Sequence, residues 1–134
     1  MKKAKDWPPV LVTPLSESQV PMLDSVSINA LSSALSGLAA RQTATANNIA
    51  NINTPNYRAQ TVSFESALAA SVQAGSGVVA PTTGQSLEPT QLDGNNVNLD
   101  TEDITSANTV LQYQFASQAI SQELTSVVPA LQVS

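Results

Sequence analysis

The chain contains neither cysteine nor histidine. Their absence removes disulfides, thiolate and imidazole metal ligands, and the Ser-His and Cys-His pairs of nucleophilic catalysis in one step. Aromatic residues make up 4% of the 134 residues, and Ala, Val and Leu carry most of the 42% hydrophobic fraction. That composition builds thin cores and narrow helix seams rather than bulky interiors. Charge is scarce as well, at 11% against about 25% in an ordinary soluble domain. Ser, Thr, Asn and Gln together exceed a third of the chain, so the surface is polar but barely charged. A surface of that kind suits coverage by neighbours better than free dispersal.

Cations are the scarcest class. Lysines stand only at Lys2, Lys3 and Lys5, followed by Arg41 and Arg58, and the net charge is -5. Two arginines build no basic patch, which argues against nucleic acid. No stretch approaches the roughly 20 apolar residues of a membrane span. The amino terminus, MKKAKDWPPVLVTPLSESQVP, begins like a signal peptide, but Pro8, Pro9 and Pro14 interrupt its apolar run and no small-residue cleavage site follows. Residues 1–21 read as a flexible extension, with Met22 as an alternative translational start. The length allows one domain.

What is present is a pair of long apolar stripes. From about Asp24 to Asn53, the residues Ile28, Leu31, Leu35, Leu38, Gln42, Thr45, Ile49 and Ile52 alternate in steps of three and four. That period is the pattern of one helix laid along another. Asp24, Ser25 and Ser27 supply cap candidates, and Pro55 stops the helix. From Asp100, a candidate N-cap followed by Glu102 and Asp103, the residues Val110, Tyr113, Ser117, Ile120, Leu124, Val127 and Leu131 repeat the alternation. A second stripe, Ile104, Ala107, Leu111 and Phe115, lies beside it, and Pro129 ends or bends the helix. Each helix runs roughly 28 to 30 residues, about 42 to 45 Å.

Between them, RAQTVSFESAL alternates as a strand around Val62 and Phe64, or forms a short helix over residues 65–72. AGSGVVAPTTGQSLEPTQLDGNN is dense in Gly, Pro, Ser and Thr and reads as an irregular exposed loop. Asp93-Gly94 marks a turn, and Val97 and Leu99 alternate with Asn96 and Asn98 as a brief strand would. The predicted fold is mainly α: two long terminal helices form an antiparallel coiled-coil hairpin, with an irregular, short-β centre. Its parts are an extension over 1–21, an amino-terminal helix and Asn-Thr-Pro turn over 22–57, a loop-rich middle over 58–99, and a carboxyl-terminal helix over 100–134. Such a hairpin buries one face of each helix, so the second stripe and the polar seam positions call for cover from further copies.

The segment ALSSALSGLAARQTATANNIANINTPNYRAQTVSFESAL resembles the amino-terminal signature of bacterial flagellar basal-body rod and hook proteins, a helix ending in A-x-N-I-A-N-x-x-T-P-G-Y. DGNNVNLDTED followed by NTVLQYQFASQAISQEL is similar to the carboxyl-terminal half of the proximal-rod B subunits of that family. Two signatures in order around a short middle separate it from hook and distal-rod members, which carry large inserted domains. The resemblance implies a structural subunit of the proximal rod, the drive shaft that carries torque to the hook. Members are exported unfolded through the flagellar type III apparatus without a cleaved signal peptide and stand in the basal body outside the cytoplasmic membrane. They polymerise through their terminal helices around the export channel. The implied partners are further copies, other proximal-rod subunits, the membrane-ring protein and the small adaptor at the rod base. The alternatives are another rod or hook subunit, or a coiled-coil adaptor of the flagellar base that does not polymerise.

The implied assembly residues are Leu31, Leu35, Leu38, Asn47, Asn48, Ile49, Asn51, Asn53, Pro55, Tyr57, Val110, Tyr113, Ile120 and Leu124. Buried polar groups without partners cost about 1 to 3 kcal/mol each, so the four asparagines either satisfy backbone groups at a covered helix end or simply mark a frayed turn. Asn56 stands where the family has glycine, a substitution that tolerates a positive φ. Tyr57 packs its ring beside the hairpin or is an ordinary half-buried aromatic. Arg58 pairs with Glu65, pairs with a neighbouring subunit, or stands alone in solvent. Asp100, Glu102 and Asp103 could hold a divalent cation, but their place at a helix start explains them without one. No catalytic, metal or cofactor site is expected, because a two-helix hairpin hardly provides a pocket.

Overall fold

The computed structural model describes residues 20–131. Three helices and one small sheet follow in chain order: α1 (Val20–Ala50), β1 (Gln60–Ser63), α2 (Glu65–Gln73), β2 (Thr82–Gln85) and α3 (Leu99–Leu131). All but the last two residues of the expected extension over 1–21 lie outside the described residues; Val20 and Pro21 open α1. Asp24, Ser25 and Ser27 therefore sit inside the helix and are not its caps. At the other end α1 stops at Ala50, so Asn51 and Asn53 belong to the turn that follows.

α1 and α3 lie antiparallel and side by side. Asn48 reaches Glu102, and further back along α1 Gln42 reaches Ser106. The anticipated α1 seam is the one that turns inward, with Leu38 and Thr45 buried and Ile28, Leu31, Leu35, Gln42 and Ile49 half-buried. On α3 the inward face runs one residue ahead of the expected stripe. Glu102 and Thr109 are buried and Ala116 and Glu123 half-buried; of the expected stripe Ser117 and Ile120 are half-buried too, while Val110, Tyr113 and Leu124 are turned outward. The reason is steric, since small and β-branched residues let two helix backbones approach, and bulkier side chains are displaced to the flank.

β1 and β2 pair antiparallel, Gln60 with Gln85 and Ser63 with Thr82. Both readings of RAQTVSFESAL thus hold in succession, a strand and then a helix. β2 corrects the expectation of a wholly irregular middle. Its Thr-Thr pair favours extended backbone, and β1 supplies the hydrogen-bonding edge that a lone strand lacks. α2 ends in a Schellman motif: Gly75 at φ 79° donates to Val72 O at 2.9 Å, and Ser76 N donates to Ser71 O at 3.0 Å. The chain then crosses α1, where Ser33 Oγ donates to Gly77 O at 2.9 Å and accepts from Val79 N at 3.1 Å. A methyl group on Gly77 would lie 2.5 Å from Val26 O, so glycine is required at this crossing.

The core is small, as the scarcity of aromatics foretold. Leu38, Ala44, Val62 and Phe64 form it, with Ala34, Ala40, Leu68 and Ala116 packed around them. Val97 is buried, though outside any helix or strand rather than in the brief strand expected for it, because α3 already begins at Leu99. The α3 cap is Asn98, whose Oδ1 accepts from Thr101 N at 3.2 Å, and not Asp100. Nor does Pro129 end α3, which runs to Leu131.

Candidate assembly interface

The site begins where α1 ends. Helix termini leave four carbonyls without intrahelical partners, and the turn after Ala50 serves three of them, with Asn51 N donating to Asn47 O and Asn48 O and Ile52 N to Ile49 O. The turn's own carbonyls then need partners in their place. Asn95, fully buried at 0% exposure, closes this end from a distance: its Nδ2 lies 3.0 Å from Asn51 O, 3.1 Å from Ile52 O and 2.9 Å from Thr54 O. Its Oδ1 accepts from Val97 N at 2.7 Å, which fixes the amide's orientation. The loop that carries Asn95 is anchored to the same turn. Asn56 N donates to Asp93 O at 2.9 Å, and Asn56 and Gly94 adopt φ 61° and 82° against each other. The positive φ expected of Asn56 is thus present, and a Cβ on Gly94 would lie 2.4 Å from Asn56 Oδ1.

Asn48, 1% exposed, ties α1 to both later elements. Its Oδ1 accepts from Gln60 N at 2.8 Å and its Nδ2 donates to Gln60 O at 2.9 Å, so one side chain pairs with the free edge of β1 as a neighbouring strand would. The same Nδ2 donates to Glu102 Oε1 at 3.0 Å, and Tyr57 OH donates to Asn48 Oδ1 at 3.3 Å. Burial raises the Glu102 carboxyl above the ordinary range, and hydrogen bonds from Asn48 and Thr45 offset part of that rise. Asn96 does for the sheet what Asn95 does for the helix. Its Oδ1 accepts from Ala59 N at 2.7 Å, and its Nδ2 donates to Ser86 O and Glu88 O, both at 3.1 Å.

The four helix-end asparagines therefore divide. Asn48 is buried and structural within its own chain, Asn51 is half-buried with its side chain on Asn47 O at 2.9 Å, and Asn47 and Asn53 are exposed. Pro55 is exposed and Tyr57 half-buried. Glu65 takes Arg41, not Arg58, as its partner. Arg41 also donates to Val62 O at 2.9 Å and lies 5.0 Å over the Phe64 ring. Desolvation pushes the Glu65 carboxyl up, but the Arg41 hydrogen bond and the backbone amides of Phe64 and Glu65 outweigh it and hold its pKa below the ordinary value. The acids at the start of α3 do not converge, because Glu102 turns inward while Asp100 and Asp103 are exposed.

Three surfaces remain open among the described residues. Contrary to the sparse cavities expected of a hairpin, a polar groove of about 730 Å³ runs between the sheet and α3, lined by Thr61, Gln91, Asn98, Glu102 and Gln112 among others. A smaller groove of about 440 Å³, lined by Leu38, Ala39, Gln42, Val110, Tyr113 and Gln114, follows the α1–α3 flank. On the outer side of α3, Ile104, Leu111 and Phe115 are 64%, 53% and 69% exposed. Of the other seam positions singled out, Ile120 is half-buried. Asn95, Asn96 and Arg41 were missed as key residues. The DGNN run was the one available signal, since two asparagines after a tight turn are placed to bond backbone.

An uncovered apolar helix face beside a cross-stitched helix end is what a chain built to be packed by others presents, and its relatives are of that kind. Residues 28–58 match the family described as Flagella basal body rod protein. The flagellar basal body rod protein FlgB of Escherichia coli strain K12 is 35% identical over 121 residues, covering 74% of this chain and 88% of the relative. Its counterpart in Shigella flexneri matches to the same extent. Both ends of the stitched region, the α1 terminus and the segment entering α3, fall within a chain that belongs to the flagellar basal body rod proteins.

Proposed function

We propose that the chain is a proximal-rod subunit that polymerises through α1 and α3 into the torque-transmitting shaft around the export channel. The observation that carries this reading is the uncovered outer face of α3. Fully burying a Leu or Phe side chain is worth about 1.5–3 kcal/mol, so Ile104, Leu111 and Phe115 together offer enough to drive association once a neighbour covers them. Around Leu111 and Phe115 the surroundings are uncharged amides and hydroxyls, while the Ile104 end carries the exposed Asp100 and Asp103, which a neighbour must leave in solvent.

In this arrangement α1 and α3 act as an antiparallel coiled-coil hairpin. Leu31, Leu35, Leu38 and Ile49 hold its inner seam, and Val110, Tyr113, Ile120 and Leu124 flank it where sibling helices pack. Asn47, Asn51, Asn53 and Pro55 form the surface turn at one end, while Asn48 and Tyr57 keep its angle fixed. The neighbours are further copies, other proximal-rod subunits, the membrane-ring protein and the rod-base adaptor, reached after passage through the flagellar type III apparatus to the outside of the cytoplasmic membrane. The role is mechanical and needs no cofactor.

Deleting the gene and examining both swimming and isolated basal bodies tests this. The expected outcome is non-motile cells whose membrane rings are intact but lack a rod. Basal bodies with complete rods would overturn the proposal. A purified chain that sediments as a folded, closed small oligomer indifferent to rod components would favour the adaptor reading instead.

A further inference from the structure

Within the rod reading, on which this inference rests, we propose that the flank groove of one copy receives the outer α3 stripe of the next. The groove is apolar on both walls, with Leu38 and Ala39 from α1 and Val110 and Tyr113 from α3. None of its lining residues is charged. At its floor stands an unfinished polar group. Gln42 Nε2 donates to Ser106 Oγ at 2.9 Å, while Gln42 Oε1 is buried without any hydrogen-bond partner. A buried acceptor left unpaired is costly, and a turn of the Gln42 side chain toward the groove would let a mostly apolar occupant satisfy it with one polar group.

The same chain carries such an occupant. Leu111, Phe115 and Gln118 stand at i, i+4 and i+7 on α3, one face of one helix, and all three are exposed. Leu111 and Phe115 supply the apolar body. The Gln118 amide supplies both a donor and an acceptor, which matches the Gln42 side chain in either orientation of its amide. The match in charge is equally direct, since groove and stripe are both neutral.

Groove and stripe lie on different sides of α3. With Thr109 facing α1, Val110 and Tyr113 fall on the flank, and Leu111 and Phe115 on the back. The contact joins two unlike patches set apart around the helix, so a copy can offer its back to one neighbour and its groove to another. Heterologous contacts that do not close on themselves propagate into open helical stacks.

The absence of native cysteine allows a direct test. Ala39→Cys marks the groove and Ala107→Cys marks the stripe; both positions are exposed and both changes are small. The variants are expressed in place of the native chain, basal bodies are isolated, and a thiol crosslinker of about 10 Å reach is applied. The double variant is expected to give a ladder of linked copies, and the two single variants expressed together a linked pair. Linkage of Ala39→Cys to itself would mean groove-on-groove pairing and overturn the inference. Absence of any linkage in basal bodies that contain the protein would do the same, whereas absence of the protein from basal bodies would overturn the rod reading itself. A second measurement follows the amides. Gln42→Leu and Gln118→Leu should each lower incorporation about tenfold by leaving the other amide buried and unpaired, and the double substitution should recover most of the loss. Equal, additive losses would rule out their pairing.

Discussion

Single residues in this chain carry unusually long-range duties, and two make sharp tests. Asn95→Ala removes the donor that serves Asn51 O, Ile52 O and Thr54 O. Asn51 O keeps Thr54 N and Thr54 lies at the surface, so with about 1–3 kcal/mol for a buried group left unsatisfied, thermal unfolding followed by circular dichroism should show a loss of that order. Asn95→Asp should be worse, because a carboxylate would face three carbonyls. At Gly37 two effects oppose each other. Alanine gains about 1 kcal/mol in helix propensity, but its Cβ would lie 2.5 Å from the Phe64 ring. Overpacking of that kind costs about 1–3 kcal/mol, and expelling Phe64 also removes the Arg41 stacking, so Gly37→Ala should destabilise in the same assay. At this scale the sequence announced Asn56 and the Asp93-Gly94 turn, because backbone chirality is a local property. It could not announce Asn95, whose partners lie far back in the chain, nor the choice of Arg41 over Arg58 for Glu65, which is made by packing.

Among elements, the junction of α1, β1 and α3 turns on Glu102. Its raised pKa means that the protonated carboxyl suits the folded state. Its contribution is complete below the ordinary carboxylate value and is lost as pH climbs through the folded one. Stability of the junction should therefore be greater in mild acid than at neutrality. Glu102→Gln should raise the melting temperature at neutral pH, change it little in mild acid, and flatten the pH dependence between. The α1 stripe was readable because its period of three and four survives in the inward face from Ile28 to Ile49. On α3 the expected stripe is met only in part, at Ser117 and Ile120, because Thr109 and Ala116 take the inward places beside Val110 and Ser117. β2 was illegible for a different reason: Thr-Thr-Gly-Gln has no apolar alternation, and all four of its residues are exposed.

For the molecule entire, the governing facts are few charges and an open face. An assembly held by neutral surfaces has little to lose to ionic screening. Isolated rods should accordingly keep their length between about 0.05 and 1 M NaCl, measured by electron microscopy, whereas a shaft held by ion pairs would shorten. Length and composition already pointed to a thin, shared core, and the four residues that form it agree. The polar groove beside the sheet was not foreseen, because it arises from the angle at which Asn48 and Asn96 hold the sheet against α3.

The fastening of the α1 terminus by Asn95 also has a temporal side. Asn51 O meets Thr54 N within its own turn, but its second donor, Asn95, lies 44 residues further along, so a chain emerging amino end first from any narrow conduit forms the two fastenings at different times. The turn is held locally from the outset and gains its long-range lock only when the later half of the chain is present.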